Sequence, residues 1–396
     1  MTGTLVRTPT RAWRMLVLGV LAQAAGTMLV STPAYLIPLL HLERGVPLAA
    51  AGALAAAPTI GMVATLVAWG HLADRYGERW VIAGGLALTA VLALAASAMS
   101  DIVAFGVLLA FAGGASASVN SASGRIVVGW FPRERRGTAM GIRQMSQPLG
   151  VAAAALIVPG LAELGGMAAP LVVAAAATGV LAVLCAIGIA NPPRPAAAAA
   201  RPAAVHPYRG SGFLLRIHAV SVLLVVPQFL LSTFGMVWLV AGLAWDAAAA
   251  GALIAVSQFV GAFGRIAVGA LSDRLGSRVR VLRWVAVSGV VVMAVLAIVA
   301  AVAWSIPAAI VLVIASTVTV ADNGLAFTSV AEAAGPGWSG KALGIQNTGQ
   351  FLAASAVGPA MGALITAVGF PIAFALTALL PLASLPLIPR DDVHAE

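Results

Sequence analysis

Charged residues are scarce in this chain: Asp, Glu, Lys and Arg make up only 9% of its 396 residues, against about a quarter in a typical soluble domain. A single cysteine, Cys185, excludes an intramolecular disulfide. The five histidines show no metal-ligand spacing, and no glycine-rich phosphate loop with a lysine is present. We therefore expect no enzymatic activity, no cofactor, no bound metal and no ATP-driven step.

Long apolar segments take up most of the sequence instead. Hydrophobic residues make up 61% of the chain, and the mean hydropathy is +1.02. A helix needs about 20 apolar residues to cross a bilayer, and a helix satisfies its own backbone hydrogen bonds in lipid. We predict an all-α membrane protein with twelve transmembrane helices. The predicted spans are 14–39, 48–72, 80–99, 103–129, 138–162, 168–190, 214–242, 249–272, 281–304, 307–331, 341–365 and 368–389.

The net charge of +9 is explained by membrane topology and not by nucleic-acid binding. If the N-terminus is cytoplasmic, Arg44 is the only basic residue in an outer loop, while Arg125, Arg143 and Arg265 lie within spans. Every other Lys and Arg then falls in a cytoplasmic loop or tail, which is the positive-inside pattern. We expect a multi-pass protein of a bacterial inner membrane, with both termini cytoplasmic and lipid as its surroundings.

One charged segment occurs twice. The sequence GHLADRYGER at 70–79 returns as GALSDRLGSR at 269–278, an offset of 199 positions. A second pair, GTAMGIRQMSQ at 137–147 and GKALGIQNTGQ at 340–350, has an offset of 203, and Asn120 aligns with Asn323 at the same offset. We predict two homologous six-helix halves, 1–190 and 213–396. The Pro-, Ala- and Arg-rich segment 191–212 is predicted to be a cytoplasmic linker between them.

The paired charged loops, the twelve spans and the central linker resemble the major facilitator superfamily over essentially the whole chain. This resemblance implies a secondary transporter that works by alternating access, with the two halves rocking about a central substrate site. It also implies that spans 1, 4, 7 and 10 line the cavity, with help from spans 2, 5, 8 and 11. We expect a monomer that carries a small molecule.

Polar side chains inside spans are costly, so their positions indicate the site. Span 1 carries Gln23 and Tyr35 on one helical face, spans 4 and 10 carry Asn120 and Asn323, and Trp238 is an aromatic candidate at the end of span 7. The remaining candidates lie in spans 5, 8 and 11. The complete predicted substrate-binding set is Gln23, Tyr35, Asn120, Arg143, Gln147, Trp238, Arg265, Gln346, Asn347 and Gln350. Such residues can also serve only as contacts between helices.

The repeated loops indicate a gate. Asp74, Arg75, Asp273 and Arg274 lie at the cytoplasmic ends of spans 2 and 8, where charges can pair across the bundle and meet helix termini. The family resemblance implies that Arg125, at the inner end of span 4, partners the loop Asp. We expect these contacts to form and break as the halves move.

Two arginines and one acid lie deeper in the membrane. Arg143 is about 9 Å and Arg265 about 12 Å inside their spans, while Asp322 is about 15 Å from the inner face. A buried guanidinium needs an anion or a polar network, and its fork matches a carboxylate. We predict that Arg143 and Arg265 bind an anionic substrate and that Asp322 couples transport to protons. An internal network with Gln and Asn, or a permanent ion pair of Asp322 with an arginine, is the alternative.

The segment GRIAVGALSD at 264–273 is similar to the eighth span of monocarboxylate transporters and oxalate–formate antiporters. In those families an Arg four residues before the loop Gly contacts the carboxylate, which implies the same role for Arg265. We predict proton-coupled symport of a small organic anion. Drug or metabolite efflux by proton antiport is the alternative, although Ala110 stands where drug–proton antiporters usually have an Arg before the Gly pair.

Overall fold

A computed structural model describes residues 10–131, 139, 142–191, 207–208, 212–334 and 339–393, without the side chains of residues 74, 124–125, 128–129 and 339–341. Within these residues the chain forms helices and turns and contains no strand, which confirms the predicted all-α class. The predicted linker 191–212 lies almost entirely outside the described residues. It therefore stays a prediction, as do the bounds of the two halves.

The helices follow the predicted spans closely. Those of the first half are α1 (Thr10–Tyr35), α2 (Leu48–Tyr76), α3 (Glu78–Ser97), α4 (Ile102–Trp130), α5 (Ser146–Gly165) and α6 (Ala168–Gly188). Those of the second half are α7 (Phe213–Val237), α8 (Ala247–Leu275), α9 (Arg278–Val302), α10 (Ser305–Thr319), α11 (Asp322–Ala334) and α12 (Ser339–Ser384). Short π-helical segments, Leu39–Glu43 and Trp238–Gly242, follow α1 and α7 at repeat-related positions.

Eleven helical stretches in the described part of the chain are long and apolar enough to cross a membrane. One of them, Ala342–Ser384, contains two predicted spans, and α12 breaks between them at Gly369, whose φ of 77° and ψ of 168° are not helical. Twelve spans therefore fit the structure. The tenth predicted span differs from expectation because it consists of two helices, α10 and α11, that are interrupted at 320–321.

The repeated charged loops share two local features, a glycine with positive φ and a cap on the following helix. Gly77 and Gly276 end the helices before the loop with φ of 84° and 62°, a conformation that side chains with a Cβ adopt at a cost. The next helix is then capped by a residue from the end of the same half. Asn191 Oδ1 accepts from Arg79 N at 3.0 Å, and Asp392 Oδ1 accepts from Arg278 N at 3.0 Å.

By its internal contacts the chain divides into two compact units. The first is Met1–Leu36 with Ala57–Ala197, and the second is Ile37–Ala56 with Ala198–Glu396. Each unit has its own apolar core. The core of the first is built mainly from α1, α3, α4 and α6, and that of the second from α7, α9, α11 and α12. The packed helices of each unit can therefore position the polar side chains that they carry.

Direct contact between the α2 and α4 backbones illustrates how tightly the first unit packs. A Cβ atom at Gly61 would lie 1.7 Å from Ala110 O. Across the same contact, Thr65 Oγ1 and Trp69 Nε1 each donate a 2.7 Å hydrogen bond to Gly114 O. These bonds depend on the short separation that glycine allows.

Gly61→Ala should therefore destabilise the protein by about 1–3 kcal/mol, because the two helices must separate to admit one methyl group. Gly84→Ala is the matched control, since a Cβ at Gly84 meets no atom within 4 Å and alanine favours the helix by about 1 kcal/mol. Thermal unfolding in detergent measures both. Equal melting temperatures for the two variants would contradict the close contact.

Candidate functional site

A group of polar side chains in the first unit joins α1, α4 and the turn before α5. Gln23 Nε2 donates to Asn120 Oδ1 at 2.5 Å, and Ser123 Oγ donates to Gln23 Oε1 at 3.2 Å. Arg143 lies in the helical turn that precedes α5, and its Nε donates to Ser123 Oγ at 2.9 Å while Nη2 donates to Asn120 O at 3.3 Å. Three predicted site residues, Gln23, Asn120 and Arg143, are thus brought together.

A second group in the other unit joins α7, α11 and α12. Asn323 Nδ2 donates to Gln228 Oε1 at 2.9 Å. Gln350 Nε2 donates to both Asn323 Oδ1 at 2.9 Å and Ser221 Oγ at 2.6 Å. Gln350, predicted to bind substrate, is 93% enclosed and holds three helices together in this arrangement.

The two groups share one pattern. In each half an asparagine at the equivalent sequence position, Asn120 or Asn323, bonds to a glutamine of the first helix of that half, Gln23 or Gln228. Amide pairs satisfy each other's polar groups inside apolar helices, where an unpaired amide is expensive. The internal repeat of the sequence is therefore also a repeat of polar contacts.

The halves differ where Arg143 aligns with Gln346. Gln346 is 2% exposed, and its Oε1 accepts a hydrogen bond from His218 Nδ1. Since the amide oxygen can only accept, His218 donates from Nδ1, and its Nε2 lies 3.0 Å from Tyr208 OH, so the ring connects Gln346 to Tyr208. Partial burial raises the pKa of Tyr208. Sequence reasoning placed His218 at a span end without a role; its position one helical turn before Ser221 on the polar face of α7 was the available signal.

Arg265 and Asp322 lie near each other in the second unit without bonding. They attract each other electrostatically, but no ion pair within 4 Å joins these two described residues. Arg265 Nε and both carboxylate oxygens of Asp322 are enclosed and make no hydrogen bond to another side chain, while the backbone N–H groups of Asp322 and Asn323 stabilise the carboxylate. A pair in this state has unused hydrogen-bonding capacity on both members.

Asp322 is the first residue of α11 and is 1% exposed. Beside it lies a small cavity with mostly apolar walls, which include Leu224 and Pro227 of α7 and Pro381 of α12. The N-terminus of α11 favours a negative charge there, whereas the apolar walls oppose one.

The other predicted binding residues do not join these groups. Tyr35 is buried and its OH has no partner in the structure. Trp238, the first residue of the π-helical segment, is 1% exposed and packs edge-on against Phe374, with ring centroids 5.2 Å apart. Gln147 and Asn347 are exposed.

The described part of the predicted gate contains a local cluster of charges. Arg278 pairs with Asp273 of the repeated loop, donates to Ser272 Oγ at 2.8 Å and reaches Glu332 at 3.4 Å. Arg274 is exposed. In the other loop Arg75 stacks over the ring of Tyr76, 5.4 Å from its centroid. The side chains of Asp74 and Arg125 lie outside the described residues, so their pairing stays a prediction.

Two repeated helical units with polar groups fixed inside apolar helices define a membrane transporter built from repeats. The family model of the Major Facilitator Superfamily matches residues 16–359. The "uncharacterized MFS-type transporter Rv2994" of Mycobacterium tuberculosis is 45% identical over 378 residues, which cover 95% of this chain and 84% of that protein.

Solved structures share the fold at low identity. A bacterial homologue of the human lysosomal transporter Spinster, inward-facing and occupied, superposes with a TM-score of 0.81 at 14% identity, covering 96% of this chain and 97% of that one. The nucleoside transporter NupG superposes with a TM-score of 0.74 at 15% identity, covering 96% and 100%. The chain belongs to the major facilitator superfamily. It is a multi-pass membrane transporter of a small molecule and not an enzyme.

The Gln23–Asn120 bond should be measurable as a coupling energy. A double-mutant cycle of Gln23→Ala and Asn120→Ala should give about 0.6 kcal/mol, with about 1.7 kcal/mol as the upper end for hydrogen bonds between membrane helices. The control cycle pairs Asn120→Ala with Gln147→Ala, because Gln147 is exposed. Unfolding in mixed micelles supplies the free energies. Coupling of the control pair as large as that of the amide pair would contradict the assignment.

Proposed function

We propose that this transporter moves a small organic anion, a carboxylate, together with a proton. The observation that carries the proposal is the Arg265–Asp322 pair: the two groups attract each other, yet Arg265 Nε and both Asp322 oxygens are enclosed and make no hydrogen bond to another side chain. A substrate carboxylate would supply the acceptor that Arg265 lacks, through charge-assisted hydrogen bonds. A proton would neutralise the Asp322 carboxylate.

The substrate anion and the proton would bind together for an electrostatic reason. A charged Asp322 competes with the substrate carboxylate for Arg265 and also repels that carboxylate. Protonation of Asp322 removes this competition and leaves the full positive charge of Arg265 for the substrate. Binding of the anion in turn makes a neutral Asp322 more favourable, because linkage between two ligands is reciprocal. Symport follows from this coupling.

Arg143 would contribute a second positive charge from the first half. Its hydrogen bonds to Ser123 and to the Asn120 carbonyl hold the guanidinium group in one orientation. A group held in this way loses little entropy when it binds a ligand. Gln346, the counterpart in the second half, has an enclosed Nε2 without a partner in the structure and would donate to the same class of substrate.

Orientation and assembly are part of the proposal. The excess of Arg and Lys in the loops expected to be cytoplasmic favours cytoplasmic termini and an inner-membrane location. Superfamily transporters complete their substrate site within one chain, and we propose a monomer. Once Asp322 is protonated, a neutral cargo, such as the nucleosides named for NupG, would leave the charge of Arg265 without a counter-ion, so the protonated site favours an anion.

Arg265→Lys should weaken carboxylate binding at least tenfold, about 1.4 kcal/mol, because lysine keeps the charge but loses the two-pronged geometry. Thermal shifts of the purified protein with acetate, lactate, succinate, benzoate and uridine identify a probe, and calorimetry then measures its affinity. Arg143→Ala should weaken binding in the same direction. Arg44→Lys, in the loop after α1, is the matched control.

The outcome decides between a charged and a neutral cargo. Unchanged carboxylate affinity in both Arg265→Lys and Arg143→Ala would contradict the anion site. Stabilisation of the wild-type protein by uridine, with no response to any carboxylate, would also contradict it.

Asp322→Asn should abolish substrate accumulation driven by a pH gradient, because the amide side chain cannot take up and release a proton. Exchange of labelled substrate at equal pH should continue. Both rates are measured in proteoliposomes that contain only this protein. Glu163→Gln is a control that removes an exposed carboxylate near the end of α5. If Asp322→Asn still concentrates substrate in response to an imposed pH gradient, Asp322 does not couple transport to protons.

A further inference from the structure

A basic groove lies at one end of the second unit, where α7, α9 and α12 come together. Arg216, Arg283, Arg390 and Asp391 line it together with the apolar side chain of Val287. An adjoining recess shares three of these residues and adds Arg280 and Trp284. This groove is distinct from the polar groups described above, which lie deeper in the helices.

Four arginines face two acids in this basic groove, and one of those acids is already engaged. Asp392 caps α9, since its Oδ1 accepts from the backbone nitrogens of Arg278 and Val279 at 3.0 and 3.1 Å. Asp391 remains as the acid that opposes the arginines. The groove therefore carries a net positive charge.

Two of the arginines are held in place by the end of α12 and the residues after it. Arg216 Nε donates to Leu387 O at 2.8 Å, and its Nη2 donates to Pro386 O at 3.1 Å. Arg283 Nη2 donates to Pro389 O at 3.1 Å. Carbonyl oxygens orient these guanidinium groups without cancelling their charge. Arg280 and Arg390 are exposed, and no acid pairs with either side chain among the described residues.

An exposed apolar stripe continues from the basic groove along α9. It begins at Trp284, which is 50% exposed, and continues through Val287, Val291, Val295, Ile298 and Val302 at helical spacing. Exposed side chains in a transmembrane helix contact acyl chains, and Trp is typical of the membrane interface. A positive groove above an apolar stripe matches a molecule with a negative head and a long apolar tail.

We propose that this groove binds an anionic phospholipid, with the phosphate among Arg280, Arg283 and Arg390 and an acyl chain along the α9 stripe. Basic pockets between helices at the cytoplasmic surface suit such head groups. The chain's own linker offers no competitor, because residues 192–211 contain no Asp or Glu. Free phosphate shares the charge of the head group but would gain nothing from Trp284 and the stripe.

The first half gives an internal comparison. At the offset of 199 residues that aligns the two charged loops, Arg280 corresponds to Val81, Arg283 to Gly84 and Trp284 to Gly85. The extra arginines are thus specific to the second half, which is where we place the lipid.

Native mass spectrometry of the full-length protein in neutral detergent tests the site, with phosphatidylglycerol titrated in and phosphatidylcholine as the uncharged comparison. The double variant Arg280→Gln, Arg390→Gln should lower affinity for phosphatidylglycerol about thirtyfold, from about fivefold for each arginine. Arg44→Gln makes the same charge change elsewhere and should leave affinity unchanged.

Asp391→Asn should change the affinity for phosphatidylglycerol in the opposite direction. It removes the opposing acid and should tighten phosphatidylglycerol binding about fivefold, a gain that misfolding cannot produce. Equal binding of the two lipids, unchanged affinity in the double variant, or displacement of the lipid by inorganic phosphate at equal concentration would each overturn the proposal. Retention of phosphatidylglycerol against phosphate, together with both shifts, would support it.

Discussion

The free-energy cost of enclosing polar groups among apolar helices is the constraint on which the rest of this structure depends. Amide pairs such as Gln23–Asn120 and Gln228–Asn323 reduce that cost, because their polar groups form hydrogen bonds with each other between helices. Against this background, Arg265 Nε and the Asp322 carboxylate stand out because these charged groups are enclosed and make no hydrogen bond to another side chain. A transporter needs side chains that can exchange hydrogen-bond partners during its cycle. Charged side chains with unused hydrogen-bonding capacity can do so.

The sequence predicted the helices and the repeat well because both depend on local or regular patterns. Apolar length determined the spans, and the repeat placed Asn120 and Asn323 at equivalent positions, although their pairing with Gln23 and Gln228 was not predicted. The break at 320–321 was not predicted, because no proline or glycine marks it, and it makes Asp322 the first residue of a helix. The packing of Trp238 against Phe374 depends on a π-helical segment that hydropathy does not reveal.

Differences between the halves carry more functional information than their similarity does. Arg143 in the first half corresponds to Gln346 in the second, whose partner is His218, and the second half alone contains Arg265 and Asp322 at depth. The basic groove of α7, α9 and α12 follows the same rule, since the first half has Val81 and Gly84 where the second has Arg280 and Arg283. An ancestral repeat explains the helices and polar contacts that the two halves share. The proposed binding sites for substrate, proton and lipid use residues that differ between the halves.

The central claim is that a carboxylate and a proton bind to one coupled pair of side chains. Its most direct test is the affinity of the wild-type protein for a carboxylate, measured by calorimetry at a series of pH values in buffers of different ionisation enthalpy. The account predicts that affinity rises as pH falls, by up to about tenfold per pH unit, with net proton uptake on binding. Affinity that is constant between about pH 5 and 9, or proton release on binding, would contradict it.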